Sequence, residues 1–325
     1  MINKASFIHT EETYPYRNLA MEEYLMQNCA EEECILYLWQ NRNTVVIGKN
    51  QNCWRECRVS ELERDGGYLV RRLSGGGAVY HDMGNLNFTF LVRKANYDID
   101  KQMSVIIKAM QLLGIRAEKS GRNDAIADGR KFSGNAFYER GVFCYHHGTL
   151  LLNADTEKMS RYLDVSSDKL KSKGVDSVHS RVVNLCELCP GITVKLVSEK
   201  MREAFGMVYE IQTEDFDISR FDDAALKESE EKFASWEWKF GRKIPFSHEF
   251  GTRFKWGDVQ VQLQVNGGII ENANVFSDSM DESWPEELAA ALKGCRYEKR
   301  AMCEIIEKAV PDVSDDLKKL TSEFI

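Results

Sequence analysis

Two arginines followed by a glycine triplet, in Arg71-Arg72-Leu73-Ser74-Gly75-Gly76-Gly77-Ala78-Val79-Tyr80-His81-Asp82, form the densest chemical signal in the chain. Successive glycines let a backbone approach a ligand closely and aim several N–H groups at it. An arginine just upstream stays charged and suits a carboxylate or phosphate. The run is not a Walker P-loop, because no Gly-Lys-Ser/Thr comes after it, and not a Rossmann fingerprint, because Tyr80 stands where the last glycine belongs. The residues after the glycines read as strand, so a hairpin turn with bulges is the competing reading. Side chains alternate along a strand, so only one of Arg71 and Arg72 can face a ligand.

A second cluster is Gly121-Arg122-Asn123-Asp124, continued by Asp128-Gly129-Arg130-Lys131-Phe132-Ser133-Gly134-Asn135-Ala136. Lys131 lies between glycines with a polar pair upstream, a compact charge able to neutralise an α-phosphate or a carboxylate. Taken alone, the segment reads as a solvated loop. The third cluster, His146-His147-Gly148-Thr149, falls on a strand, where adjacent histidines face opposite ways and cannot share one metal. The fourth, Lys169 to Gly174 and on through Ser177-Val178-His179-Ser180-Arg181, is basic and loop-like. It is either a solvated surface or a mobile cover that carries positive charge over a phosphate.

Elements must hold these clusters. Helical spacing marks Asn18–Cys29 (Leu19, Glu22, Glu23 and Met26), Ile99–Leu113, ended by Gly114, and Thr193–Tyr209. Strands are expected at Cys34–Trp39, Thr44–Ile47, Tyr68–Leu73, Asn85–Val92 and Phe143–Asn153. The stretch Ser219–Trp238 reads as charged helix, broken at Gly241 and Pro245. Beyond it, Arg253–Trp256, Val259–Val265 and Ile269–Ser277 form an expected three-stranded meander, succeeded by helices from near Trp284, Glu298 and Ser314. The order implies an α+β fold, a mixed sheet with flanking helices over residues 1–246, and a small α/β accessory domain over residues 247–325.

The chain has 325 residues, with 51 acidic against 43 basic side chains and a net charge of -8. That balance argues against a general nucleic-acid or anionic-membrane binder. No window approaches the roughly 18 consecutive apolar residues of a membrane span, and the N-terminus lacks a signal core, so a cytoplasmic protein is expected. Nine cysteines cannot all pair. The lone Cys186-Glu187-Leu188-Cys189 motif, with Pro190 behind it, is a weak zinc signal, and reduced thiols are the better reading.

Taken together, the Arg-Arg-x-Ser-Gly-Gly-Gly-Ala-Val-Tyr-His-Asp run, Gly-Arg-Asn-Asp…Arg-Lys-x-Ser-Gly-x-Ala, His-His-Gly-Thr-Leu-Leu-Leu-Asn and Lys-Gly-x-x-Ser-Val-x-Ser-Arg-Val resemble the lipoate–protein ligase A family. The likeness continues through Ser235-Trp236-Glu237-Trp238 and Phe246-Ser247-His248 into the last eighty residues, so it spans nearly the whole chain. The resemblance implies a fold shared with biotin ligases and octanoyltransferases, and a two-step reaction. Lipoate attacks the ATP α-phosphate to give lipoyl-AMP, and a lysine of a lipoyl domain then takes the acyl group. By motif, Lys131 contacts the lipoyl carbonyl and the α-phosphate. Arg72, Ser74, Gly75, Gly76, Gly77, Ala78, Val79, Tyr80, His81 and Asn85 fall among the nucleotide and acyl-adenylate contacts. Asn123 and Asp124 lie where Mg²⁺ or ribose is placed, with Asp124 the candidate metal ligand. The segment from about Leu170 to Asn184 matches a loop that closes over the adenylate. It has His179 where the family commonly carries arginine, and Arg181 is retained. The implied cofactors are ATP and Mg²⁺. The implied partners are lipoyl domains of 2-oxoacid dehydrogenase complexes and the glycine cleavage H protein, with no nucleic acid and no membrane.

Two rivals stand beside this expectation. One is an ATP-independent octanoyl or lipoyl acyltransferase with Cys144, 13 residues beyond Lys131, as its thioester nucleophile. The other is a binding protein that keeps the pocket without the chemistry. Biotin ligation fits less well, because the arginine-glycine pattern of biotin ligases is absent.

Overall fold

Residues 1–121, 123–163, 182–241 and 245–324 are described by a computed structural model. The chain opens with β1 (Lys4–His9), α1 (Pro15–Asn28), β2 (Glu33–Trp39) and β3 (Thr44–Ile47). Two short helices, α2 (Cys53–Glu56) and α3 (Val59–Arg64), precede β4 (Tyr68–Arg71), β5 (Val79–His81) and β6 (Asn85–Arg93). After α4 (Ile99–Leu112) come β7 (Ala117–Ser120), β8 (Asp124–Ala127), β9 (Arg130–Arg140) and β10 (Phe143–Leu151). The next elements are α5 (Thr156–Tyr162), α6 (Leu185–Leu188), α7 (Val194–Tyr209), β11 (Thr213–Asp215), α8 (Asp223–Ala234) and α9 (Trp236–Phe240). The C-terminal part holds β12 (His248–Arg253), β13 (Asp258–Asn266) and β14 (Ile269–Ser277), then α10 (Trp284–Leu292), α11 (Lys299–Ala309) and α12 (Ser314–Phe324).

The contacts divide the chain into two units: 1–46, 57–70 and 79–235 form one, and 47–56, 71–78 and 236–325 the other. The glycine triplet therefore groups with the C-terminal elements. In the first unit, eight strands form a mixed sheet in the order β11-β1-β2-β6-β10-β9-β8-β7. β2 runs parallel to β1 and antiparallel to β6, and every residue of β2 is buried. A strand covered on both faces reads as a continuous apolar run, the pattern Cys-Ile-Leu-Tyr-Leu-Trp gives.

α4 and α7 cover one face. Asp98 accepts the Lys101 N–H at 2.9 Å to start α4, and Gly114, at φ 77°, stands just past its end. Thr193 caps α7, which buries Val197, Met201, Ala204 and Phe205, one stripe of a 3.6-residue repeat. In the second unit, β12, β13 and β14 form an antiparallel meander whose Phe250, Val261, Leu263 and Val275 pack with Trp284, Leu288, Met302 and Leu317.

The helix and meander readings hold, with three corrections. The first meander strand is His248–Arg253, not Arg253–Trp256; the Phe254 N–H donates to Gly257 O at 2.8 Å, and Phe254 and Trp256 stack at 5.1 Å in the turn. The expected single helix over Ser219–Trp238 breaks at Ser235 between α8 and α9. The Lys131 segment is strand, not solvated loop: Gly, Asn and Asp disguised β8 and β9, whose edges are held by neighbouring strands. Among the described residues, no helix is long and apolar enough to cross a membrane.

Candidate functional site

Lys131 sits near the start of β9 and is pinned from both sides. It pairs with Ile126 of β8, and its carbonyl accepts the Val183 N–H at 2.9 Å. The β8–β9 register slips between Ala125 and Ile126, so Ser133 and Lys131 face consecutive β8 residues. That bulge resets the alternation and puts Lys131 on the same face as Asp124 and Gly134. Lys131 Nζ lies 2.6 Å from Asp124 Oδ1, each side chain about one-fifth exposed (21% and 21%). A Cβ at Gly134 would stand 2.7 Å from Nζ and 2.8 Å from Cε of Lys131. The missing side chain at position 134 is the space the ammonium occupies.

This end of the sheet continues into a polar row. Cross-strand partners share a face. Asp124 is opposite Gly134, whose N–H donates to Thr149 Oγ1 at 3.3 Å; Thr149 is opposite Asn87, and Asn87 opposite Trp39. One step along the strands, His147 is opposite Thr89 and Thr89 opposite Tyr37. Over this row α1 places Glu22, buried at 1% exposure. Its Oε1 accepts from Thr89 Oγ1 at 2.7 Å and lies 2.8 Å from His147 Nδ1, while Trp39 Nε1 donates to Thr89 Oγ1 at 3.1 Å. Asn85 Nδ2 donates to Asn87 Oδ1 at 2.8 Å, and the remaining amide atoms, Asn85 Oδ1 and Asn87 Nδ2, have no partner among the described residues. Buried polar atoms of that kind are fitted for a bound polar group.

The other residues singled out from the sequence in this unit take distinct places. Asn123 exchanges hydrogen bonds with Asn135 just before β8. His81 Nδ1 lies 3.3 Å from Asn41 Nδ2, and its ring meets Trp39 edge-on. Tyr80 is buried and donates to Asn43 Oδ1 at 3.0 Å, so its side chain is committed to the fold. Val79 begins β5 and is half-buried. Arg181, His179 and residues 170–181 of the expected covering loop lie outside the described residues, as does Arg122. Glu22, Trp39, Asn87, Thr89 and Thr149 were not singled out as site residues. Glu22 did leave a signal, a carboxylate on the buried phase of α1 between Leu19 and Met26.

In the second unit the two arginines divide their work. Arg71 is 3% exposed, and Arg72 5%. Arg72 folds into its own loop, with Nε 3.0 Å from Ser74 Oγ and Nη2 donating to Gly75 O at 2.6 Å and Gly77 O at 2.9 Å. Gly76 takes φ 87°, a conformation that only glycine adopts freely. Its N–H donates to Ser279 O at 2.8 Å, and a Cβ on Gly75 would stand 2.5 Å from that same oxygen. Gly48 was missed from the sequence; its Cβ would stand 2.2 Å from Gly76 O, so 47–51 passes hard against the triplet. Ala78 closes the loop, half-buried.

All nine cysteines are free, and no cluster of three or more His, Cys, Asp or Glu side chains suited to a metal occurs among the described residues. Cys144 is buried, and burial pushes its thiol up to about 11. A nucleophilic cysteine needs the opposite environment.

The Gly134 geometry carries an expectation of its own. Gly134→Ala adds a methyl where only the flexible tip of Lys131 must yield, so the melting temperature should move little. If Lys131 serves the acyl activation that the sequence resemblance implies, the displaced ammonium should lower its kcat/KM by roughly 10–100-fold, as misplacement of about 1 Å does. Wild-type turnover in the variant would show that Lys131 need not sit over Gly134.

Compared with known proteins, residues 14–206 match the lipoyl protein ligase A/B catalytic domain and residues 243–325 the bacterial lipoate protein ligase C-terminus. Among solved structures, P. falciparum LipL1 in complex with lipoate is 27% identical, with 97% of this chain and 98% of that one covered, at a TM-score of 0.83. A bipartite lipoate protein ligase with its E2 lipoyl domain, from Thermoplasma acidophilum, is 24% identical over 75% of this chain and 98% of that one, at 0.66. A lipoate-protein ligase A bound with ATP is 22% identical over 74% and 99%, at 0.64.

Proposed function

Since the chain belongs to the lipoyl protein ligase A/B family, we propose that it is an ATP-dependent lipoate–protein ligase working through an acyl adenylate. The observation that carries this reading is the Lys131 ammonium, seated over Gly134 at the end of a polar row on a largely apolar sheet. The P. falciparum neighbour, solved with lipoate, supports the choice of acid.

In the first step a lipoate carboxylate oxygen bonds to the α-phosphorus of ATP, and the bond to the pyrophosphate oxygen breaks. Two anions must meet, and Lys131 supplies the charge that lets them. Asp124 holds the ammonium in place, and Lys131 exchanges this carboxylate for the α-phosphate and the acyl oxygen. Arg72 holds the loop Ser74–Ala78 in shape for an anionic group. In the unit that carries Lys131, the proposed nucleotide contacts are Val79, the Tyr80 backbone, His81 and the amides of Asn85 and Asn123, with Arg181 adding charge to the phosphate. In the second step the acceptor lysine nitrogen bonds to the carbonyl carbon as the bond to AMP breaks, and Lys131 stabilises the charge on the carbonyl oxygen. Magnesium sites with nucleotides take one or two carboxylates and complete themselves with phosphate oxygens and water. Asp124, a single carboxylate beside a displaceable ammonium, fits that share, and the metal would neutralise phosphate charge there. Acceptors of this reaction are lipoyl domains of 2-oxoacid dehydrogenase complexes and the glycine cleavage H protein. Residues 1–246 form the proposed catalytic domain and residues 247–325 the proposed accessory domain.

Pyrophosphate release tests the reading. It should require ATP and lipoate together and should precede acyl transfer to a lipoyl-domain lysine. Cys144→Ser should retain most of that activity, because ATP already provides the leaving group. ATP-independent transfer through a hydroxylamine-sensitive adduct on Cys144, lost in the variant, would convert the reading to an acyltransferase. Binding of lipoate without pyrophosphate release would leave a carrier.

A further inference from the structure

We infer that His146, a core residue on the sheet face opposite Lys131, positions Asp124 and through it Lys131, by way of the side-chain amide of Asn135 and the backbone carbonyl of Asn123. The inference rests on the catalytic role proposed for Lys131. His146 is fully buried in a cage of Phe88, Phe90 and Phe137, with ring centroids 5.4, 5.8 and 4.9 Å away. That cage explains an aromatic ring but not an imidazole. A phenylalanine would fill it without burying His146 Nδ1, which has no hydrogen-bond partner among the described residues. What distinguishes the imidazole is one contact: Nε2 lies 2.8 Å from Asn135 Oδ1.

The Asn135 amide has its other end committed. Its Nδ2 donates to Asn123 O at 3.0 Å, so Oδ1 is the acceptor and His146 carries its proton on Nε2. Burial, the largest cause, together with the neighbouring His147 and Lys119, lowers the His146 pKa to about 3, so the imidazole stays neutral and this donor does not switch off near neutral pH. Asn123 O also accepts the Asn135 backbone N–H at 2.8 Å, and Asn123 Nδ2 returns a bond to Asn135 O at 3.1 Å. Three hydrogen bonds thus fasten Asn123, the residue that leads into Asp124. Gly148 leaves the space this needs, because a Cβ there would stand 2.8 Å from Asn135 Oδ1. Without the imidazole donor, Asn135 Oδ1 is a buried acceptor with nothing to accept, a penalty that rotation of the amide relieves. Rotation breaks the Nδ2 bond to Asn123 and loosens Asp124, which lies 2.6 Å from Lys131 Nζ.

The test separates positioning from packing. His146→Phe keeps the cage and removes an unpartnered nitrogen, which offsets part of the cost of the unmet Asn135 acceptor, so its melting temperature should fall by no more than a few degrees. Its kcat for pyrophosphate release should nevertheless fall about tenfold or more, with KM for ATP and lipoate within about twofold, as expected when a charge is mispositioned rather than removed. His146→Gln, which returns a donor nitrogen near the Nε2 position, should recover most of the loss. Unchanged kcat in the phenylalanine variant overturns the inference. A second measurement does not depend on turnover: nitrogen NMR of the wild-type protein should find the Nε2–H tautomer and a slowly exchanging Asn135 side-chain amide that exchanges faster in the phenylalanine variant. An Nδ1–H tautomer, or undiminished protection in the variant, also overturns it. A wild-type protein that releases no pyrophosphate but has the expected tautomer and exchange refutes the catalytic reading and leaves the His146 relay standing.

Discussion

Lys131→Ala is expected to abolish adenylation and acyl transfer together while leaving the fold in place. In the proposed mechanism one ammonium serves the α-phosphate in the first step and the carbonyl oxygen in the second, so neither half-reaction escapes its loss. Removing a preorganised charged donor costs about 3 kcal/mol or more in the transition state, roughly 10²–10³-fold in rate. Stability should change far less. The Lys131–Asp124 pair is partly open to solvent, and such pairs are worth about 0–1 kcal/mol. The strand itself is held by the backbone bonds to Ile126 and Val183, which alanine retains. ATP–pyrophosphate exchange and transfer from preformed lipoyl-AMP report the two steps, with circular dichroism as the folding control. Near-normal rates in both assays would sink the assignment.

Arg71→Met should have the opposite signature, a large loss of stability rather than a selective loss of chemistry. The guanidinium is 3% exposed and serves five backbone carbonyls. Nη1 donates to Gly48 at 3.1 Å, Lys49 at 2.9 Å and Gln51 at 2.7 Å; Nε donates to Trp238 at 3.1 Å and Nη2 to Lys239 at 2.7 Å. Trp238 Nε1 returns a bond to Arg71 O at 2.8 Å. One planar fork thereby ties residues 48–51 to α9. Removing it strands several buried acceptors, at about 3–5 kcal/mol in total. Arg71→Lys should recover less than half, because one ammonium cannot span both segments. Tryptophan fluorescence in urea is well suited to this, since Trp54, Trp236, Trp238, Trp256 and Trp284 belong to the same unit as Arg71 and only Trp39 does not. An unchanged unfolding midpoint in Arg71→Met would show that the carbonyls find other partners.

The pair of arginines illustrates how far local pattern reaches. Alternation along a strand says that Arg71 and Arg72 part ways, but not which of them turns to the glycine loop. The answer depends on carbonyls at 48–51 and 238–239, which are distant in sequence and are assembled only by folding. The histidine pair behaves the same way. Facing sides were legible from the strand; that one side holds Glu22 and the other Asn135 was not.

The sequence by itself determined the family, the helices with a clean 3.6-residue stripe and the apolar central strands, because these signals lie within short stretches of contiguous residues. It also singled out Lys131 as a compact charge that suits a phosphate or a carboxylate. Tertiary structure alone decided that Lys131 stands on a strand, that a bulge turns it toward Asp124, and that Gly134 clears its place. It also decided that Asn87 and Thr89 of β6 line up with Thr149 of β10, strands separated in sequence by α4 and three further strands. The physical reason is that register, burial and hydrogen-bond satisfaction are properties of pairs of segments. β8 and β9 have weak strand propensity of their own, and only their neighbours in the sheet make an Asn- and Gly-rich stretch into the scaffold of a site.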